Sequence, residues 1–168
     1  MKKLLQTALM AALLALTACG YHLVGHGGGS GAIPADVTTL SIVGNADAQL
    51  LAQLRQRLHS DAYALVAAGD TVDQQHHAML HVRISPLIFT PSTYDISGAA
   101  TQYRMLFTGS LQLEQAGKTL WQSGAMQQRG DVFVTGGPTS IEASRQRLKQ
   151  DLSKQWLADA VGRLRSGF

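Results

Sequence analysis

The chain has 168 residues, a formal net charge of +3 and one cysteine, Cys19. That length suits one domain with one core, and a single cysteine excludes an internal disulfide framework. The small charge, with no clustered basic surface, excludes a general nucleic-acid footprint, so no nucleic-acid partner is expected.

Residues 1–18 read as an export signal. Lys2 and Lys3 give a basic start, and an apolar run follows from Leu4 to Leu16. The run is shorter than the roughly 20 apolar residues a spanning helix needs, and small residues before a cut mark a cleavable signal. Leu16-Thr17-Ala18-Cys19 resembles a bacterial lipobox, in which the cysteine thiol is acylated and the cysteine becomes the new N-terminus. Cys19 is therefore the expected lipidation site; the alternative is an ordinary secretory signal with a chance cysteine. Removing residues 1–18 leaves 150 of the 168, with 12 basic and 11 acidic side chains. Each buried acyl methylene contributes about 0.8 kcal/mol, and more than one chain anchors stably. The expected membrane contact is thus through the N-terminal lipid. Gly20, where retained inner-membrane lipoproteins usually carry Asp, resembles the outer-membrane class. No other run is long and apolar enough to span lipid.

From Gly25 to Gly31 the sequence has no apolar side chain. Residues 19–32 read as the lipidated cysteine and a flexible glycine-rich tether. No Lys-Ser/Thr follows and no strand precedes, which argues against a phosphate-binding loop. A single domain is expected over 33–168, starting near Ile33-Pro34.

Val37 to Val43, rich in β-branched residues, predicts a strand. Asn45 or Asp47 can cap a helix on which Leu50, Leu51, Leu54 and Leu58 share a face. A short strand at Tyr63 to Val66 and a polar loop from Ala67 to His77 follow. Ala78, Leu80, Val82 and Ile84 alternate with Met79, His81, Arg83 and Ser85, as a strand does. Thr90 to Gly98, with Pro91 and Gly98, reads as a long hairpin loop. Tyr103, Met105, Phe107, Leu111 and Leu113 give a half-buried strand, with Leu106 the exception on its polar face. The turn Gln115-Ala116-Gly117-Lys118 sends the chain back antiparallel as one strand from Thr119 to Val134. Its alternation is weak: Leu120, Val132 and Val134 share a parity, but Trp121 and Phe133 take the other. Thr139-Ser140-Ile141-Glu142 reads as a capping box. A helix from Ser140 to Arg163 follows, with Leu148, Leu152, Trp156 or Leu157, Ala160 and Leu164 facing inward. The order is β-α-β-β-β-β-α, an α+β fold with two helices packed on one face of a mostly antiparallel sheet.

Signals for chemistry are weak. His76, His77 and His81 form the only histidine cluster, but they read as loop running into strand, with no acid or cysteine at ligand spacing. No nucleophile-elbow motif is present, and the acids are scattered. Neither an enzyme nor a metal nor a cofactor is expected. Arg145 to Lys154 holds four bases and one acid, which suits the solvated face of a helix or an anion-binding surface.

Three places resemble one family. Cys19-Gly20-Tyr21-His22-Leu23 is similar to the opening of the lipopolysaccharide-assembly lipoprotein LptE family. Gln102-Tyr103-Arg104-Met105 resembles its central strand. Arg129, Phe133 and Pro138 before a long helix resemble its last strand and helix entry. Size and element order agree over nearly the whole processed chain. The resemblance implies an outer-membrane lipoprotein that plugs and helps assemble the barrel LptD, takes part in inserting lipopolysaccharide into the outer leaflet, and binds that lipid. Arginine suits bidentate phosphate binding, so Arg104, Arg129, Arg145, Arg147 and Lys149 are the candidate lipopolysaccharide contacts. The family's basic residues in the hairpin loop have no counterpart from Thr93 to Gly98. A periplasmic chaperone or other barrel-assembly accessory lipoprotein that does not bind lipopolysaccharide is the alternative, and a lipid-anchored enzyme a further one.

Overall fold

The structure is a computed structural model that describes residues 31–59 and 62–168. The signal segment, Cys19 and most of the tether lie outside the described residues. Nine elements follow in order: β1 (Thr39–Gly44), α1 (Ala48–Arg57), β2 (Ala64–Val66), β3 (His77–Ile84), β4 (Ile88–Tyr94), β5 (Ala100–Gln115), β6 (Lys118–Gln122), β7 (Met126–Phe133) and α2 (Pro138–Ser166). The fold is α+β as expected, with one mixed, mostly antiparallel sheet of seven strands. β1 pairs parallel with β2 and β3; β5 pairs antiparallel with β3, β4, β6 and β7.

β5 organises the sheet. At 16 residues it is long enough to take two partners on each edge. β3 meets its C-terminal part and β4 its N-terminal part on one edge, with Ser85 N–H bonding Thr108 O between them. β6 and β7 do the same on the other edge. Two expectations change here. Residues 90–94 are strand, not hairpin loop, and the turn shrinks to the five residues 95–99. The expected single strand over 119–134 is two, broken at Ser123-Gly124-Ala125. The break resets the parity: Trp121 turns inward before it, and Met126 and Val132 turn inward after it. Leu120 and Phe133 are left outside. The Ser123 hydroxyl supports the break by accepting from Leu111 N–H at 2.9 Å and donating to Gly124 O at 2.7 Å.

Both helices pack on the same sheet face and share one core. Leu50, Leu54 and Leu58 meet Leu40, Ile42, Leu80, Val82, Leu111 and Leu113 from the strands and Leu152, Trp156, Leu157, Ala160 and Leu164 from α2. Each fully buried aliphatic side chain contributes about 1.5–3 kcal/mol relative to exposure. Leu148 is only partly buried at the rim, against Gly130. Gly109 lets the Trp156 ring lie against β5; a Cβ there would stand 2.8 Å from a ring carbon.

The caps divide the expectations. Asp47 caps α1, its carboxylate accepting from Leu50 N–H at 2.8 Å. Asn45 instead pairs with the end of β3, donating to Ile84 O and accepting from Ile84 N–H. The expected capping box does not form. Gly137 is the N-cap of α2 and Pro138 takes the first helical turn, so Thr139 is already inside the helix. Glu142 accepts from Gln146 and Arg145 instead, which holds its carboxyl below the usual range, Gln146 being the larger cause. Gly31 and Ala32, read as tether, are docked: Ala32 N–H bonds Leu164 O at 2.8 Å.

Candidate functional site

The sheet has two unlike faces. The face away from the helices carries Thr39, Ser41, His77, His81, Ser110, Gln112, Glu114, Arg104, Arg129 and Asp131 by strand alternation. Polar side chains there bond to one another. His77 sits between the Thr39 and Ser41 hydroxyls, at 3.0 and 3.2 Å from its two ring nitrogens. His81 Nε2 lies 3.4 Å from Glu114 Oε2, within ion-pair distance but outside hydrogen-bond geometry. His76 turns to Asp73 at 2.9 Å, and that bond holds the Asp73 carboxyl below its ordinary range. The three histidines thus serve three different sets of partners.

The candidate lipopolysaccharide contacts fall in two places. Arg104 and Arg129 are on the polar sheet face, on neighbouring strands. Arg104 is engaged, its Nε 3.1 Å from Asp131; Arg129 is exposed and has no ion pair among the described residues. Arg145, Arg147 and Lys149 ride on α2, across the sheet. Arg145 lies over the Phe89 ring at 5.2 Å and pairs with Glu142 at 3.3 Å. Phe89 in turn stacks on Tyr103, with centroids 4.9 Å apart and planes 9° from parallel. Arg147 donates to the Ala143 carbonyl of its own helix. These cations therefore do not converge on one centre.

Lys149 borders two adjoining clefts beside the start of α1. One, of about 340 Å³, is polar, with Gln49, Gln53, Gln146, Gln150, Ser153 and Lys154. The other, of about 330 Å³, is floored by Ile84, Leu87 and Phe107. Asp47 and Leu50 line both. Sequence reasoning missed the second cleft and the Arg145–Phe89–Tyr103 stack. Both depend on residues 84–89 at the β3–β4 junction, which the alternation of β3 did not reach.

No model of a known protein family matches the sequence, and no curated protein matches it. The fold does have solved relatives. Lipoprotein B from Nitrosomonas europaea superposes with a TM-score of 0.58 at 11% identity, over 77% of this chain and 83% of that one. A minor lipoprotein from Acinetobacter baumannii gives 0.55 at 12% identity, over 77% and 91%. Rare lipoprotein B from Shewanella oneidensis gives 0.52 at 16% identity, over 76% and 90%. At such identities the likeness is one of fold: this chain shares the architecture of bacterial lipoproteins.

Proposed function

We propose that the chain is an outer-membrane lipoprotein of the LptE kind. It is anchored through acylated Cys19 on the periplasmic side, plugs and helps assemble an LptD-like β-barrel, and takes part in lipopolysaccharide insertion into the outer leaflet. It acts by binding, not by catalysis. The observation that carries this reading is the coincidence of a lipobox with a fold shared by three bacterial lipoproteins. A polar, uncovered sheet face supports it, because barrel lumens are polar and a plug must hydrogen-bond to the wall. Arg129 and Lys149, which have no carboxylate partner among the described residues, are the cations best placed to meet lipid A phosphates.

Membrane pull-down of tagged, full-length chain tests the reading. A large outer-membrane barrel should come with the wild-type protein, and anchoring should vanish with Cys19→Ala. If no barrel accompanies a correctly acylated protein, the plug role fails. For the lipid, Arg145→Gln with Arg147→Gln and Lys149→Gln keeps helix propensity nearly constant. Lipid A affinity should fall, and wild-type affinity should weaken with salt. Arg129→Gln tests the sheet face separately, and unchanged affinity at low salt in both constructs would remove the lipid contacts assigned here.

A further inference from the structure

One end of the domain gathers the entry of the chain, the ends of both helices and the β5–β6 turn. Ala32 N–H bonds Leu164 O at 2.8 Å. Gly31 lies so close to α2 that an added Cβ would meet Arg165 O at 2.0 Å. Arg165 donates to Arg57 O at 2.9 Å and so ties the end of α2 to the end of α1. Trp121 Nε1 donates to Gly167 O at 3.2 Å. Gln115 donates to Asp36 and to Gln75 O, fixing the turn that carries Lys118 at this same end. The hairpin turn 95–99 and the start of α2 lie at the opposite end of the sheet.

This end exposes one aromatic side chain and several bases. Phe168 is 85% exposed. Arg57, Lys118 and Arg165 are exposed, and none has a carboxylate partner among the described residues. Two acids stand here among the described residues: Asp36, engaged by Gln115, and the exposed Asp73, engaged by His76, which leaves the three bases in excess. Helix C-termini carry partial negative charge, and two bases in each last turn offset it: Arg55 and Arg57, Arg163 and Arg165. Gly31 stands twelve positions after Cys19, and at about 3.3–3.6 Å per extended residue those steps hold this end within roughly 40 Å of the cysteine. Tethering gives a high effective concentration, so contacts too weak to recruit a free protein are populated.

We propose that this end of the domain faces the membrane, with Phe168, Arg57, Lys118 and Arg165 resting on the anionic phospholipid leaflet that holds acylated Cys19. The inference rests on the lipoprotein reading and adds an orientation: the hairpin end points away from the anchoring leaflet, toward a barrel partner.

The test uses the processed, acylated protein in vesicles of phosphatidylcholine with or without phosphatidylglycerol. Acylation occupies the Cys19 thiol, so an introduced cysteine takes a nitroxide label alone. Labels go at Thr119→Cys, beside the proposed contact, and at Ile96→Cys, in the hairpin turn. With phosphatidylglycerol, the label at 119 should lose several-fold in accessibility to a water-soluble relaxation agent, and the label at 96 should stay open. One molar salt, or Arg57→Gln with Lys118→Gln and Phe168→Ser, should restore access at 119. That variant leaves the Arg165 bond to the Arg57 carbonyl in place. Equal accessibility at both positions in vesicle-bound protein would overturn the orientation, as would protection of 96 instead of 119. Protein that does not stay with vesicles would overturn the lipoprotein reading, and this surface with it.

Discussion

The two halves of β5 live in different surroundings. From Met105 to Leu113 every second side chain is buried; from Ala100 to Arg104 none is, and β4 beside that stretch is open along almost its whole length. The backbone ladder continues through both halves. Hydrogen bonding therefore sets the length of the sheet, and helix cover sets the extent of the core. α1 and the C-terminal half of α2 cover one half. The other half has only the start of α2 above it, with Leu148 on Gly130 and Arg145 on Phe89. Buried contacts are concentrated at the end where Ala32 meets α2, and the open half is left exposed.

The sharpest way to break this comparison is to place a charge along α2. Leu152→Asp buries an unpaired carboxylate in the shared core, where Leu152 is 1% exposed, and should cost on the order of several kcal/mol. Leu148→Asp, at the partly open rim, should cost clearly less. Gln146→Asp faces solvent and adds a like charge four residues from Glu142, for about 0.2–0.5 kcal/mol. Urea denaturation of the three variants should reproduce that order. Equal losses at 148 and 152 would mean that the core extends under the open half.

A second contrast uses two glycines on the inner face. A Cβ at Gly109 would meet Ile84 Cδ1 at 2.6 Å and the rigid Trp156 ring at 2.8 Å. A Cβ at Gly130 would meet Leu148 Cδ1 at 2.6 Å, the far end of a flexible side chain at the rim. Gly109→Ala should therefore destabilise by about 1–3 kcal/mol, as overpacking does, while Gly130→Ala should be nearly neutral. Thermal unfolding of the pair measures the difference in rigidity between the halves.

The same division explains what could be read from the sequence. Where burial is one-sided and firm, the periodicity is clean, and β1, β3, most of β5, α1 and the inward face of α2 all stand close to where alternation and leucine spacing put them. β4 has no such pattern, because almost nothing along it is buried, and Pro91 argues for a turn. Proline has no N–H to give a ladder, yet it fits an edge strand whose open side faces solvent. The β6–β7 break was written in the conflicting parities of Trp121 and Val132, which one continuous strand cannot satisfy. Pro138 displaced the capping box by starting α2 early, since proline suits a first helical turn. The candidate cations were legible as basic residues but not as a site, because sheet faces and ion-pair partners depend on pairing that no local pattern encodes.

Within the open half, Arg145 offers a finer test. Arg145→Gln removes the cation above Phe89 and its partner for Glu142. An exposed contact of that kind is worth about 0.5–1 kcal/mol, so the loss should fall well below that of Leu152→Asp. Fluorescence or NMR at Tyr103 should report a loosened stack without global unfolding.

The smallest effect is expected at the far tip, and it is a matter of pH. Asp95 closes the hairpin turn: its carboxylate accepts from the Ser97 hydroxyl at 2.6 Å and from the N–H groups of Ser97 and Ala99 at 2.8 and 2.9 Å. These bonds, the Ser97 hydroxyl first, hold its pKa below the ordinary value. A carboxyl whose folded pKa is depressed lends stability that is fully present above its unfolded pKa and is lost as pH falls through the folded one. The turn should thus stay closed through neutral and mildly acidic solution and loosen only below the usual carboxylate range. Amide resonances of Ser97 and Ala99 followed by NMR on acidification should shift there, while the amides of Leu80 and Leu111 in the covered half stay fixed. Asp95→Asn should produce the loosened turn at every pH. If acid moves Leu80 and Leu111 together with the tip, the two halves open as one unit and the contrast drawn along β5 fails.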